Sequence, residues 1–92
     1  MIIKYIVGVH YTERNKHPFI EKCKVIESEG STLVTELPRE EIAYQIDTGI
    51  EFYTLKDGRK AKVIPYKLNG FKFLKTVPNS WDEDNLSGAE VY

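Results

Sequence analysis

Leu37-Pro38-Arg39-Glu40-Glu41-Ile42-Ala43-Tyr44-Gln45-Ile46-Asp47-Thr48-Gly49 is the stretch that decides the fold. Its pattern predicts the chain's one convincing helix. Pro38 suits the first helical position, where an N–H would lack an intrahelical partner. Glu40 and Glu41 place negative charge in the first turn, against the positive end of the helix dipole. Ile42 and Ile46 share a face with Ala43 beside them. Gly49 can adopt the left-handed conformation that ends a helix. No good N-cap precedes Pro38, since Thr35 comes too early and Leu37 is a poor cap. A lone helix of about three turns is unstable in water, so Ile42 and Ile46 must pack on a partner.

That partner is a sheet, because the sequence on both sides of the helix is strand-like. Downstream, Ile50 to Leu55 predicts a strand. Asp57-Gly58 follows, a strong hairpin signal between alternating segments. Lys60 to Tyr66 returns, with Ala61 and Val63 on one face and Lys60, Lys62 and Ile64 on the other. Pro65 puts that end at an edge or a bulge. After a turn at Leu68-Asn69-Gly70, residues 71–76 predict a further strand.

Upstream, residues 2–12 alternate, with Ile3, Tyr5, Val7, Val9 and Tyr11 on one face and Lys4, Gly8 and His10 on the other. Ile2 and Ile6 make the second face partly apolar, which predicts a central strand. Glu13 to Pro18 is a polar turn. Phe19 to Ile26 is a second strand, with Phe19, Cys23 and Val25 inward, Lys22 and Lys24 outward, and Glu21 breaking the inward pattern. Residues 32–36 form a short strand or an extended lead-in. The expected fold is α+β: a single helix on a curled antiparallel sheet, in the order β-β-α-β-β-β. Residues 78–92 have no usable period and are expected to be an irregular tail, anchored by Trp81, Leu86 or Val91.

Ninety-two residues make one domain, because a second would be too small to bury a core. A hydrophobic content of 41% excludes a disordered tail. A net charge of −1 gives no bulk attraction to nucleic acid or anionic membrane. No apolar run approaches a membrane span, and Lys4, Gly8 and His10 interrupt the start as a signal peptide would not. The single cysteine, Cys23, forms no internal disulfide, which fits a reducing compartment. These features predict a soluble cytoplasmic protein. Basic residues crowd residues 56–75, and Asp82, Glu83, Asp84 and Glu90 follow, so hairpin and tail are expected to pair with each other.

An opening Ile6-Val7-Gly8-Val9 comes first, and Ile46-Asp47-Thr48-Gly49 leads into Phe52. Leu74-Lys75-Thr76 is then followed by Asp84-Asn85-Leu86. Taken together these resemble the small bacterial and phage proteins of domain-of-unknown-function family 3892. Ser87-Gly88-Ala89-Glu90 stands where that family runs to a Leu-Pro. The resemblance implies a compact domain and supplies no activity.

Lys75, Thr76, Asp84 and Asn85, with Trp81 as a wall, make the first candidate ligand site. The same Asp84-Asn85 pair could instead lock the tail onto the last strand, since such residues readily bond nearby backbone. A calcium loop beginning at Asp82 fails, with Leu86 and Ser87 at its fifth and sixth positions. His10, His17 and Cys23 lack zinc spacing and a fourth ligand, so neither metal nor cofactor is expected. Asn69 to Thr76 echoes a strand that stacks on RNA bases, with Lys60, Lys62, Phe71, Lys72 and Phe73 as candidate contacts. Asn69 stands there where a basic residue belongs and Thr76 where an aromatic does, and a second helix is missing. No nucleophile or phosphate-loop motif is present. Lys22 and Lys24 would favour a Cys23 thiolate, but the strand period turns Cys23 away from both, into the core. The sequence therefore points to a non-enzymatic domain that binds a protein or small ligand. A single-stranded nucleic-acid binder using residues 56–75 is one alternative, and a small enzyme with a site near Thr76 and Asp84 is the other.

Overall fold

The structure is a computed structural model that describes residues 2–14, 17–68, 70–76 and 90–92. For Glu13, Arg14, His17, Pro18, Phe19, Leu68 and Phe71 it describes the backbone alone. The elements are β1 (Ile3–Arg14), β2 (His17–Ile26), β3 (Thr35–Pro38), α1 (Arg39–Asp47), β4 (Glu51–Lys56), β5 (Arg59–Leu68), β6 (Phe71–Thr76) and β7 (Glu90–Val91). The main path across the sheet is β3-β2-β1-β4-β5-β6, with β7 added on β1. This is the expected α+β arrangement of one helix on a curled sheet.

Local chemistry explains the ends of α1. Pro38 is the N-cap, in extended conformation at φ −67° and ψ 156°, one position earlier than the sequence suggests. Glu40 and Glu41 lie in the first turn. At the other end Gly49 takes φ +106°. The Ile50 N–H then donates to Gln45 O and the Gly49 N–H to Ile46 O, each at 3.0 Å, closing the helix through a left-handed glycine. Asp57 and Gly58 both have positive φ, 52° and 76°, as a two-residue hairpin between β4 and β5 requires.

The sheet is mixed rather than wholly antiparallel. β1–β2, β2–β3, β4–β5 and β5–β6 are antiparallel, while β4 runs parallel to β1, with Ile3 opposite Glu51 and Ile6 opposite Thr54. The reason is the crossover. β3 runs back along β2, α1 returns over one face, and β4 then starts in the direction of β1. The lead-in before the helix is thus a true strand, β3, shifted to Thr35–Pro38. The expected irregular tail is also corrected at its end, where Glu90 and Val91 form β7, parallel to Gly8 and Val9. The proposed anchors Trp81 and Leu86 lie outside the described residues, and Val91 is exposed.

Two bulges reset the phase of the first hairpin. The register shifts between Ile6 and Gly8 on β1, and between Tyr11 and His10 where Ile20 and Lys22 flank Glu21. An extra residue turns the following side chains to the other face. Ile6 and Val9 are therefore both buried, as are Ile20 and Cys23, and the single face from Ile3 to Tyr11 does not persist. Glu21 breaks the inward pattern because it is the extra residue on β2. Pro65 sits where β5 has run past β4 and pairs with β6 alone, which spares the sheet a missing N–H.

Ile6, Val9, Ile20, Cys23, Val25, Ile42, Ala43, Phe52, Val63 and Leu74 form one buried cluster, with Ile46 packed against it. α1 lies against β2, β3, β4, β5 and β6, so the sheet curls around it without closing. Lys4 ties β1 to the helix by donating to Gln45 Oε1 at 2.9 Å. Arg39 spans the open side, donating to Ile20 O on β2 at 3.3 Å while its guanidinium lies 5.8 Å from the Phe73 ring centre on β6. No helix among the described residues is long and apolar enough to cross a membrane.

Candidate functional site

The registers of the first three strands place Gly8 opposite Lys24, and Lys24 opposite Glu36. One residue from each of β1, β2 and β3 thus forms a row. The row faces away from the helix, because Cys23 and Val25, which flank Lys24, point into the core. Tyr92 lies across this row. Its N–H donates to Val9 O at 3.0 Å, continuing the β7 pairing. Its ring lies over Gly8, with Lys24 Nζ 4.3 Å from the ring centre. Its hydroxyl donates to Glu36 Oε2 at 2.7 Å.

Gly8 makes this possible. A Cβ at residue 8 would lie 3.0 Å from Tyr92 Cδ1 and 3.3 Å from the Lys24 Cβ, tight enough that the Tyr92 ring would have to shift by a few tenths of an ångström. Glycine within a strand marks such a close approach. Flanking groups complete the site. His10 Nδ1 donates to the main-chain oxygen of Tyr92 at 2.6 Å, and its Nε2 lies 3.6 Å from Glu21. Lys22 Nζ lies 3.4 Å from the same Glu36 oxygen that accepts from Tyr92.

The electrostatics follow from these contacts. The bond from Tyr92 holds the Glu36 carboxyl below its ordinary value, with Lys22 and Lys24 adding to the effect. Partial burial, and then the bond to Glu36, push the Tyr92 phenol well above its ordinary value. The phenol-to-carboxylate bond is therefore fully present below the ordinary phenol pKa of 10.0 and is lost only as pH rises through the elevated one. On the acid side it is fully present above the ordinary carboxyl value of 4.5 and is lost as pH falls through the lowered one. Tyr53, bonded to Glu51 at 2.9 Å, is raised as well. An ultraviolet titration of the six tyrosines should show late ionisation from both, and Tyr92→Phe should remove one part of it. An unchanged late phase in that variant would place Tyr92 away from Glu36.

Of the residues singled out from sequence, Lys75 and Thr76 lie elsewhere, on β6. Lys75 and Thr76 are neighbours on β6 and alternate across it. Lys75 lies over the Tyr66 ring at 5.2 Å, while Thr76 is buried opposite Val63. Trp81, Asp84 and Asn85 lie outside the described residues, as does the acidic run from Asp82. Among the candidate nucleic-acid contacts, Lys60 and Lys62 alternate with buried Val63 and so face away from the helix, while the Phe73 ring lies beside the Arg39 guanidinium of α1. Lys72 is on the helix side, 2.6 Å from Asp47. The Phe71 side chain is outside the described residues. Lys60 pairs with Glu29, and Lys62 lies 3.9 Å from Glu51. The basic hairpin therefore finds acidic partners in the body of the domain. Asp47, Pro65, Tyr66, Lys67 and Lys72 line an open hollow of about 300 Å³. Among the described residues no three His, Cys, Asp or Glu side chains gather as metal ligands would. Sequence reasoning passed over Tyr92, and the glycine inside an alternating strand was the signal that could have found it.

β3 is the outer strand of its side of the sheet and pairs with β2 alone among the described residues. Just before it, Leu33 is 82% exposed and Val34 51%. Compared with known proteins, residues 5–88 match the family described as protein of unknown function (DUF3892). No curated protein and no solved structure matches the chain.

Proposed function

The chain belongs to the DUF3892 family, which brings no assigned activity, and we propose from the chain's own geometry a non-enzymatic protein-binding module that receives an extended partner segment along β3. The observation that carries this reading is the pair Leu33 and Val34, in solvent beside a strand that among the described residues is paired on one side. Unpaired strand edges recruit other chains, and most proteins blunt them with charge. Here the residues leading into the edge are apolar, as anchors for a partner would be. A small-ligand role has weaker support, since the hollow near Asp47 is open and one of its two lysines, Lys72, is held by Asp47. A cytoplasmic setting goes with this reading, supported by the sequence having one cysteine, the buried Cys23, and so no second one for an internal disulfide.

Leu33→Asp/Val34→Asp tests it. Both positions are surface-exposed, so stability should change by no more than about 0.5 kcal/mol per site. The wild-type chain, immobilised, should retain a partner from an extract of the source cells, and the double variant should lose it. Identical retention by the two, or none by the wild type, would remove the proposal.

One feature favours a second reading, single-stranded nucleic acid along β5 and β6. Tyr66 and Phe73 have ring centres 5.4 Å apart, and Lys75 lies over Tyr66. Cation–aromatic strips of this kind stack on bases. Salt-sensitive retention on heparin, unchanged in the Leu33/Val34 variant, would select this reading over the first.

A further inference from the structure

We infer that the row Gly8–Lys24–Glu36 is a tyrosine-reading notch, filled in this chain by its own Tyr92 and able to accept a tyrosine carried on an extended segment of a partner protein. The inference goes beyond the proposal above, because it uses the outward face of β1, β2 and β3 rather than the edge of β3 and its apolar approach. It starts from the way β1 divides its edge. β4 occupies that edge from Ile3 to Ile6, and β7 takes Gly8 and Val9. Among the described residues, the edge of β1 beyond β4 receives β7, and the chain's own residues 90–92 show how an added segment docks there.

Among the described residues 90–92, most of the contacts that hold the segment belong to Tyr92. β7 is, among the described residues, two residues long, and both Glu90 and Val91 are exposed, Val91 at 66%. Two residue pairs make a weak strand. Tyr92 supplies the rest, and each of its contacts reads a different part of a tyrosine. Gly8 leaves space for a ring and for nothing behind it. Lys24 meets the ring face, as a cation meets an aromatic. Glu36, a carboxylate, requires a donor at the para position, which the phenol has and phenylalanine lacks. His10 and the Val9 carbonyl hold the main chain of the same residue, so the ring is presented from an extended backbone. A partner tyrosine competes with a tethered one, which lowers its apparent affinity for the intact chain.

The test uses the full chain and an acetylated, amidated peptide of sequence Ser-Gly-Ala-Glu-Val-Tyr. Titrated into Tyr92→Ala, the peptide should give saturable amide shifts at Gly8, Lys24 and Glu36. Its affinity for the wild-type chain should be about tenfold weaker, because Tyr92 occupies the notch. A peptide ending in Phe should bind Tyr92→Ala about fivefold more weakly than the Tyr peptide. Adding Glu36→Gln should narrow that preference, and adding Gly8→Leu should abolish binding. Leu33→Asp/Val34→Asp should leave peptide binding unchanged, so failure here and failure of the β3 proposal are separate results. The wild-type chain is a second arm that needs no substitution, since excess peptide should displace the Tyr92 ring signals. No saturable shift at millimolar peptide, shifts away from the row, or equal binding of Tyr and Phe peptides would overturn the inference.

Discussion

Ile42→Asp is expected to leave the chain unfolded at 25 °C. Ile42 is fully buried, and with Ala43 it carries the buried face of α1. A helix of nine residues has no stability of its own and depends on that face. Truncating a buried isoleucine costs about 2–5 kcal/mol, and placing a carboxyl in the same apolar site adds more. The total exceeds about 5 kcal/mol, against a net stability of roughly 5–15 kcal/mol that is smallest in small domains. Circular dichroism should show loss of ordered structure, and the dispersed amide spectrum should collapse. Tyr44→Asp is the control on the same helix. Tyr44 is 63% exposed, and its change should stay within about 0.5 kcal/mol. If Ile42→Asp melted cooperatively near the wild-type temperature, the helix would not be where it is described.

The second large effect is expected at Phe52. Among the described residues it is the largest of the fully buried side chains. It lies on β4, between Lys4 of β1 and Val63 of β5, so its ring fills the middle of the curl under the helix. Phe52→Ala should cost about 3–5 kcal/mol, the lost transfer energy plus that of a cavity which neighbouring strands cannot close. In a domain of this size that is a fall of roughly 15–30 °C in melting temperature. Urea unfolding should show a lower midpoint with the slope unchanged. Phe52→Leu keeps most of the volume and should cost under about 1.5 kcal/mol. Equal stability of the alanine and leucine variants would mean that no cavity forms.

Features encoded in adjacent residues were legible in the sequence. The proline, the two glutamates, the isoleucine spacing and the closing glycine all point to one helix, and the helix is there. Asp57-Gly58 announces its hairpin because few dipeptides accept two consecutive positive φ values. The phase of β1 was harder to read. A bulge adds a residue without changing composition, so Ile3, Tyr5, Val7 and Val9 look like one face when Ile6 and Val9 are the pair that is buried. The partly apolar second face, noticed at Ile2 and Ile6, was its trace. The parallel pairing of β1 with β4 depends on partners far apart in the chain, and no local pattern records it. β7 is too short to have a period. Of the candidate site, the sequence reading did not single out Tyr92, and Trp81, Asp84 and Asn85 lie outside the described residues. Tyr92 earns its place through contacts with three strands, while Lys75 and Thr76 are separated by the alternation of a strand that the sequence itself predicts.

The parallel seam between β1 and β4 has a consequence for how the chain folds. On one side of it β1, β2 and β3 form a meander of local antiparallel pairings, and on the other β4, β5 and β6 form a second. Each meander can assemble from neighbouring segments in microseconds. Joining Ile3–Ile6 to Glu51–Thr54 requires closing a long loop first, and that entropy must be lost before the shared core repays it. Docking of the two halves, with α1 caught between them, is then the slow event. Substitutions such as Thr54→Ala at the seam should slow refolding, whereas changes at the outer strands should act mainly on the unfolding rate.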